Sequence, residues 1–254
     1  MPDETPAAER PVRVVVLTTD RDGKPLDEAV SVSVPVGESI EIGREGDLQI
    51  ADDPEDASIS RVAVTLVAMP GGTMELSVRN LNGVAVHPWG LRTRYLAQGA
   101  ESQVISGRVG LRVIGSTSLD QPGVRIYWVL VEGDPQQVRT IPMQRSAVTV
   151  ANTRPVPLTD IQRETVETVF AEQLAWPPLP TPVSLPIDAA ARRLGISPAG
   201  INDRLAGVRK KAHGLGMAQQ FGVADPEYVH VLVANGYLEA PLEPIVAEEL
   251  ELFV

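Results

Sequence analysis

The chain has 254 residues, with 22 lysines and arginines against 33 acidic residues and a formal net charge of −11. Its length predicts two domains, each large enough for its own core, and its acidic balance excludes broad, nonspecific affinity for nucleic acid or anionic membrane. The absence of cysteine excludes a disulfide frame, a thiolate nucleophile and a cysteine metal site. The opening "MPDETPAAER" lacks the basic start and apolar stretch of a secretory signal. No uncharged apolar run approaches the roughly 18 residues of a membrane span. A soluble, cytoplasmic protein without membrane contact is therefore expected.

Up to residue 133 the chain is a series of short runs rich in valine, isoleucine and threonine. They include "VRVVVLTT" (12–19), "VSVSVPV" (30–36), "SIEIG" (39–43), "VAVTLVAM" (62–69), "MELSVRN" (74–80), "VGLRVIG" (109–115) and "RIYWVLVEG" (125–133). Turn formers at Asp22-Gly23, Pro70-Gly71-Gly72, Asn82-Gly83 and Asp120 to Gly123 separate them. This is the punctuation of an antiparallel sandwich or barrel, and it predicts an all-β domain over 12–132. Periodicity is then lost and prolines stand at 135, 142, 155 and 157. That predicts a linker over 133–157, with one added strand at "SAVTVAN" (146–152).

The pattern turns helical over 158–238. "LTDIQRETVETVFAEQL" (158–174) starts with Thr159 and Gln162 in capping-box spacing and repeats apolar residues at Val166, Val169, Phe170 and Leu174, as one helix would. "WPPLPTPVSLP" follows, with five prolines in eleven residues, which forbids helix and favours an extended connection. "DAAARRLG" runs to Gly195 as a left-handed stop. Ser197-Pro198 then supplies an N-cap and a proline at the first position of the next helix, "PAGINDRLAGVRKKA". A last helix begins at Asp225-Pro226, passes through "EYVHVLVAN" and ends at Gly236, leaving an acidic tail over 239–254.

Within the β-domain, Gly43-Arg44, "SRVA" from Ser60 to Ala63, and Asn82-Gly83 stand in order, with Arg44, Ser60 and Asn82 separated by 16 and 22 residues. This resembles the forkhead-associated (FHA) family, whose signature is a Gly-Arg after a strand, a Ser-Arg-x-His, and a later Asn-Gly. The resemblance implies a β-sandwich that binds phosphothreonine peptides with the loops at one end. It implies that Arg44 and Ser60 hold the phosphate, that Asn82 bonds the peptide backbone, and that Gly83 permits the tight turn. Arg61 is a second cation. The residue types suit the chemistry: a phosphothreonine carries about −1.5 to −2 charges and three acceptor oxygens, which a guanidinium fork and short hydroxyl and amide donors can meet. The family's histidine falls at Ala63, and its serine-threonine before Asn-Gly is here Asn80-Leu81. The plainer reading is that Arg44 caps a turn or pairs with Asp47, Asp52 or Glu55, and that Asn82-Gly83 closes a hairpin.

In "AARRLGISPAGINDRL", Ala191, Gly195 and Ile201 keep helix-turn-helix spacing, with Leu194, Ile196, Leu205 and Val208 as buried positions. With "LTDIQRE" upstream, the segment resembles sigma-factor region 4 and the bacterio-opsin-activator type of helix-turn-helix. The resemblance implies contact with promoter DNA. Over 188–213 six basic residues face only Asp188 and Asp203. Arg192, Arg193, Arg204, Arg209, Lys210 and Lys211 are the candidate phosphate contacts, and Asn202 is the candidate base reader. A homodimer is one way to gain further contacts. The bland alternative is that the Arg209–Lys211 run complements the helix macrodipole.

The three histidines, at 87, 213 and 230, show no metal-ligand spacing, and no P-loop, GxSxG or HExxH is present. No cofactor, metal site or catalytic residue is expected. His230 reads as a hydrogen-bonded packing residue and His87 as a loop residue near the phosphate end. The whole is expected to be multidomain, an all-β FHA-like sandwich followed by an all-α helix-turn-helix domain. As a bacterial-type signalling protein it would read a Thr-phosphorylated partner, a Ser/Thr kinase or its substrate, and regulate transcription. The competing expectation is a non-enzymatic scaffold with a degenerate FHA surface and a helical docking or dimerisation domain.

Overall fold

A computed structural model describes residues 10–51, 57–133 and 157–253. The expected strand at 146–152 and most of the expected linker lie outside them. The described chain forms two compact units. One takes the described residues up to Pro88, 93–133 and 242–253, and the other takes 89–92 and 157–241.

The first unit is a two-sheet β-sandwich. Its strands are β1 (Val12–Thr19), β2 (Val30–Val34), β3 (Ser39–Gly43), β4 (Leu48–Gln49), β5 (Val64–Met69), β6 (Thr73–Val78), β7 (Val84–Pro88), β8 (Arg94–Leu96), β9 (Gln103–Ser106), β10 (Arg108–Val113), β11 (Ile126–Glu132) and β12 (Glu248–Glu249). One sheet runs β12-β2-β1-β11-β10-β7-β8 and the other β4-β3-β5-β6-β9. The pairs are antiparallel except β12 with β2 and β3 with β4. The acidic tail expected over 239–254 thus contributes an added sheet strand; its acidic character is legible in sequence, but its strand partner is not.

Side-chain alternation decides what the sheets enclose. On β5 and β6, Val64, Leu66, Ala68, Met74, Leu76 and Val78 point into the sandwich, while Thr65, Val67, Glu75 and Ser77 turn outward. Each fully buried valine, leucine or methionine contributes roughly 1.5–3 kcal/mol relative to exposure. β1 and β11 behave differently. Val14 and Val16, with Val129 and Val131, line the core, and the intervening Val15, Leu17, Trp128 and Leu130 are also buried. Burial on both faces accounts for the unbroken apolar runs of these two strands in sequence.

The second unit contains α1 (Asp160–Val169), α2 (Ile187–Leu194), α3 (Pro198–Gly214) and α4 (Glu227–Ala234). Thr159 and Gln162 close the capping box at α1: Gln162 N donates to Thr159 Oγ1 at 3.3 Å and Thr159 N donates to Gln162 Oε1 at 3.2 Å. The helix stops at Val169, short of the 174 expected, with Phe170 as its C-cap. Phe170 is fully buried, and Leu185 N donates to Val169 O at 2.7 Å. The returning proline-rich chain therefore takes a carbonyl that another helical turn would use. Gly195, at φ 66°, ends α2, and Ser197 Oγ accepts from Gly200 N at 3.1 Å to start α3. Val166, Val169, Phe170, Ala190, Ala191, Ile201, Leu205, Val208, Val229 and Leu232 make the core. Leu194 and Ile196, expected inside, are half-buried at its edge. No described helix is long and apolar enough to cross a membrane.

Candidate functional site

Three stretches of chain meet at one end of the sandwich, and β3 delivers the first. The backbone pairing of β3 continues past its end: Arg44 N donates to Ser60 O at 3.2 Å and Glu45 N to Arg61 O at 2.9 Å. This closeness requires a glycine, because a Cβ on Gly43 would lie 2.1 Å from Arg61 O. The Gly-Arg pair is thereby explained on both sides. Arg44 is half-buried, and its Nε donates to Ile59 O at 2.6 Å. That bond fixes the guanidinium through Nε, and its two terminal nitrogens are further donors. Among the described residues no carboxylate pairs with it. Asp47, one partner considered from the sequence, instead accepts from Glu41 N at 2.9 Å, while Asp52 and Glu55 lie outside the described residues. Arg61 sits 3.7 Å from Glu45, with side chains 75% and 59% exposed, an arrangement worth little to stability.

Ser60 is held from two directions. Its N–H donates to Asn80 Oδ1 at 3.1 Å, and its Oγ accepts from Leu81 N at 3.0 Å. Accepting that bond leaves the hydroxyl proton available to an incoming oxygen. The third stretch is the turn after β6. Gly83 has φ 78°, and a Cβ there would meet Leu96 O at 2.5 Å and the Tyr95 hydroxyl at 2.6 Å, so glycine alone fits. Asn82 Nδ2 reaches Ser58 O at 3.3 Å, and Tyr95 Oη donates to Asn82 O at 2.7 Å.

Asn80 is not among the residues that the motif spacing points to, and it organises this end of the unit. Fully buried, it accepts from Ser60 N and donates through Nδ2 to Gly83 O at 2.9 Å and to Ile114 O at 2.8 Å. One amide thus joins the loop before β5, the turn before β7 and the chain leaving β10. Its backbone N also donates to Ala63 O at 2.8 Å. Ala63 is itself fully buried, and Asn80 supplies a side-chain brace between loops. A signal is present in sequence: continuing the alternation of Leu76 and Val78 places position 80 inside, where a polar amide demands partners.

His87, expected in a loop, lies instead in β7 and is 5% exposed. Its Nδ1 is 2.9 Å from Thr93 Oγ1 and its ring meets Trp128 edge-on at 5.0 Å. Burial, reinforced by the Arg112 guanidinium, lowers it from 6.5 to about 4, so the ring is neutral near pH 7. His230 is half-buried on α4, with Nδ1 2.9 Å from Gly90 O.

In the helical unit a three-residue turn joins α2 to α3. Arg192 and Arg193 are exposed in the last turn of α2, and Lys210 is exposed on α3. Asn202 and Arg209 are half-buried on α3. Arg204 turns toward α1, 3.4 Å from Thr165 Oγ1 and 3.7 Å from Glu164, and Lys211 Nζ donates to Pro157 O at 2.9 Å. The seven cationic and amide candidates therefore divide, with Arg204 and Lys211 engaged inside the unit.

No protein-family model matches the chain, and no curated protein is similar to it in sequence. Among solved structures, it is similar to the N-terminal FHA domain of S. cerevisiae Rad53p in complex with a phosphothreonine peptide, at 12% identity and a TM-score of 0.35, covering 48% of this chain and 96% of that one. An engineered FHA domain with a Myc-pTBD peptide aligns at 13% identity and a TM-score of 0.35, over 50% of this chain and 94% of that one. The FHA domain of the CT664 protein from Chlamydia trachomatis aligns at 13% identity and 0.32, over 48% and 98%.

Proposed function

We propose that the β-sandwich binds phosphothreonine segments of a partner protein, a Ser/Thr kinase or its substrate, and acts by recognition and not by catalysis. The observation that carries this reading is the convergence of Arg44, Ser60 and Asn82 at one loop end. There, among the described residues, no carboxylate pairs with the Arg44 guanidinium, and the Ser60 hydroxyl, which accepts from Leu81 N, has its proton to donate. Arg44 and Ser60 would hold the phosphate, Arg61 would add a flexible cation, and Asn82, on its Gly83 turn, would bond the peptide backbone. Arg44→Ala is expected to weaken a phosphothreonine peptide more than tenfold, since a charge-assisted bond contributes roughly 1.5–3 kcal/mol, and to leave the unphosphorylated control unchanged. Calorimetric titration measures both. Affinity retained within about twofold would remove Arg44 from the phosphate.

For the helical unit we propose contact with duplex DNA through α2, the turn and α3, which would couple phosphothreonine signalling to transcription in a bacterial-type regulator. Supporting it are Arg192, Arg193 and Lys210, exposed on or beside the two helices. Each phosphate neutralised contributes about −0.9 to the slope of log affinity against log salt. Replacing these three by alanine is expected to flatten that slope by up to about three units, across all sequences alike. Asn202→Ala is expected to leave the slope and erode discrimination between sites by roughly 1–3 kcal/mol. An unchanged slope, or no duplex affinity at low salt, would make this unit a docking or dimerisation module of a scaffold. The ties of Arg204 and Lys211 to neighbouring chain are what favour that second reading.

A further inference from the structure

Residues 242–253 form a strap on the sandwich. Arg13, Ser31, Arg108 and Glu132 lie on the outer face of the seven-stranded sheet, alternating with the core-lining Val12, Val14, Val32, Val109 and Val131. The strap crosses this face from β10 toward β2. Arg108 Nη2 donates to Glu243 O at 2.9 Å, and Ile245 N donates to Glu132 Oε1 at 3.1 Å. Beneath it Glu132 joins Arg13 at 2.5 Å and Arg108 at 2.8 Å, with the Glu132 and Arg108 side chains only 4% and 5% exposed. The strap then adds to the β2 edge. Glu248 N donates to Ala29 O at 2.9 Å, Leu250 N to Ser31 O at 2.8 Å, and Ser33 Oγ to Glu249 Oε1 at 3.0 Å. Leu250 and Phe253 finally pack against the sandwich core.

The attachment is specific yet narrow. Leu242 and Val246 are 76% and 95% exposed, Ile245 is half-buried, and apolar packing against the sandwich core falls to Leu250 and Phe253. Lifting the strap returns Arg108 and Glu132 toward water, and their recovered hydration offsets part of the cost of detaching it. It also bares the N–H and C=O groups along β2, a template that an extended segment can occupy. Glu248 and Glu249, both exposed, present a short charged edge while the strap is seated, which discourages further strands.

We propose that the β2 edge is a strand-accepting surface, separate from the phosphate-end loops, for the acidic and apolar segment 242–253, and that this segment passes between copies. One copy's segment would seat on another's β2 edge, and a reciprocal exchange gives a closed two-fold dimer. The order of recognition elements is backbone carbonyl for Arg108, backbone amides for the sheet edge, a carboxylate for Ser33, then two apolar side chains three positions apart.

The full chain carrying Leu250→Asp and Phe253→Asp, whose own segment no longer seats, is expected to bind a fluorescent peptide of residues 242–253 at least tenfold more tightly than the unaltered chain does. A peptide with the same two changes is expected not to bind. Light scattering on the unaltered chain is expected to show a dimer that grows with concentration and that excess peptide dissolves. If the double variant fails to fold, Leu250→Ala with Phe253→Ala replaces it in the same assay. A folded variant that takes neither peptide, or both alike, overturns the surface. An unaltered chain that stays monomeric throughout overturns the exchange.

Discussion

Asn80→Ala is expected to destabilise the sandwich by about 3–5 kcal/mol. Ser60 N and Ile114 O lose their partner at once, and Gly83 O is left with Ile114 N alone, at 3.3 Å. An orphaned buried polar group costs about 1–3 kcal/mol, and the small cavity left by the amide adds to that. Urea unfolding measures the loss directly. The same variant is expected to weaken phosphothreonine binding with Arg44 intact, because Asn80 positions Ser60 and the Asn82-Gly83 turn without itself meeting a ligand. A loss of under about 1 kcal/mol would mean that water replaces the amide and that the loops do not depend on it.

Acid is expected to act through His87. The ring ordinarily titrates at 6.5 and is lowered to about 4 in the fold by burial and by Arg112. Between these values the unfolded chain takes up a proton that the folded chain refuses. The stabilisation is thus complete above pH 6.5 and is lost progressively as pH falls to about 4. At about 1.36 kcal/mol per pKa unit this amounts to roughly 3 kcal/mol. Carboxylates also titrate near the lower end, so the quantity to measure is the difference in unfolding free energy between the unaltered chain and His87→Gln. The difference is expected to narrow or reverse toward acid pH. A constant difference from pH 7.5 to 4.5 would show that His87 is protonated within the fold.

Local physical chemistry made much of the molecule legible. β-branched runs between Gly, Pro and Asn-Gly turns marked the strands that bear the site. The Thr159–Gln162 box, the Gly195 stop and the Ser197-Pro198 start marked helix ends, because caps are interactions among residues three or four apart. Gly43, Arg44, Ser60, Asn82 and Gly83 were visible as spaced motif residues. The geometry around them supplies reasons for Gly43 and Gly83 in a close backbone approach and a left-handed turn.

What the chain's order of residues could not disclose depends on partners distant in sequence. Asn80 meets Ser60 and Ile114 across 20 and 34 positions, so its three-loop brace exists only once the sandwich closes. His87 follows the Asn-Gly turn as a loop residue would, but pairing of Gly110 with His87 places it in the sheet beside Trp128. The segment 242–253 reads as an acidic tail by composition, and its backbone finds β2 across more than two hundred positions. Sequence by itself determined where strands, helices and their caps occur, since those follow from periodicity and nearby interactions. Only the tertiary structure decided which polar groups are buried and satisfied, and which sheet edge is covered, because both depend on what folding brings alongside.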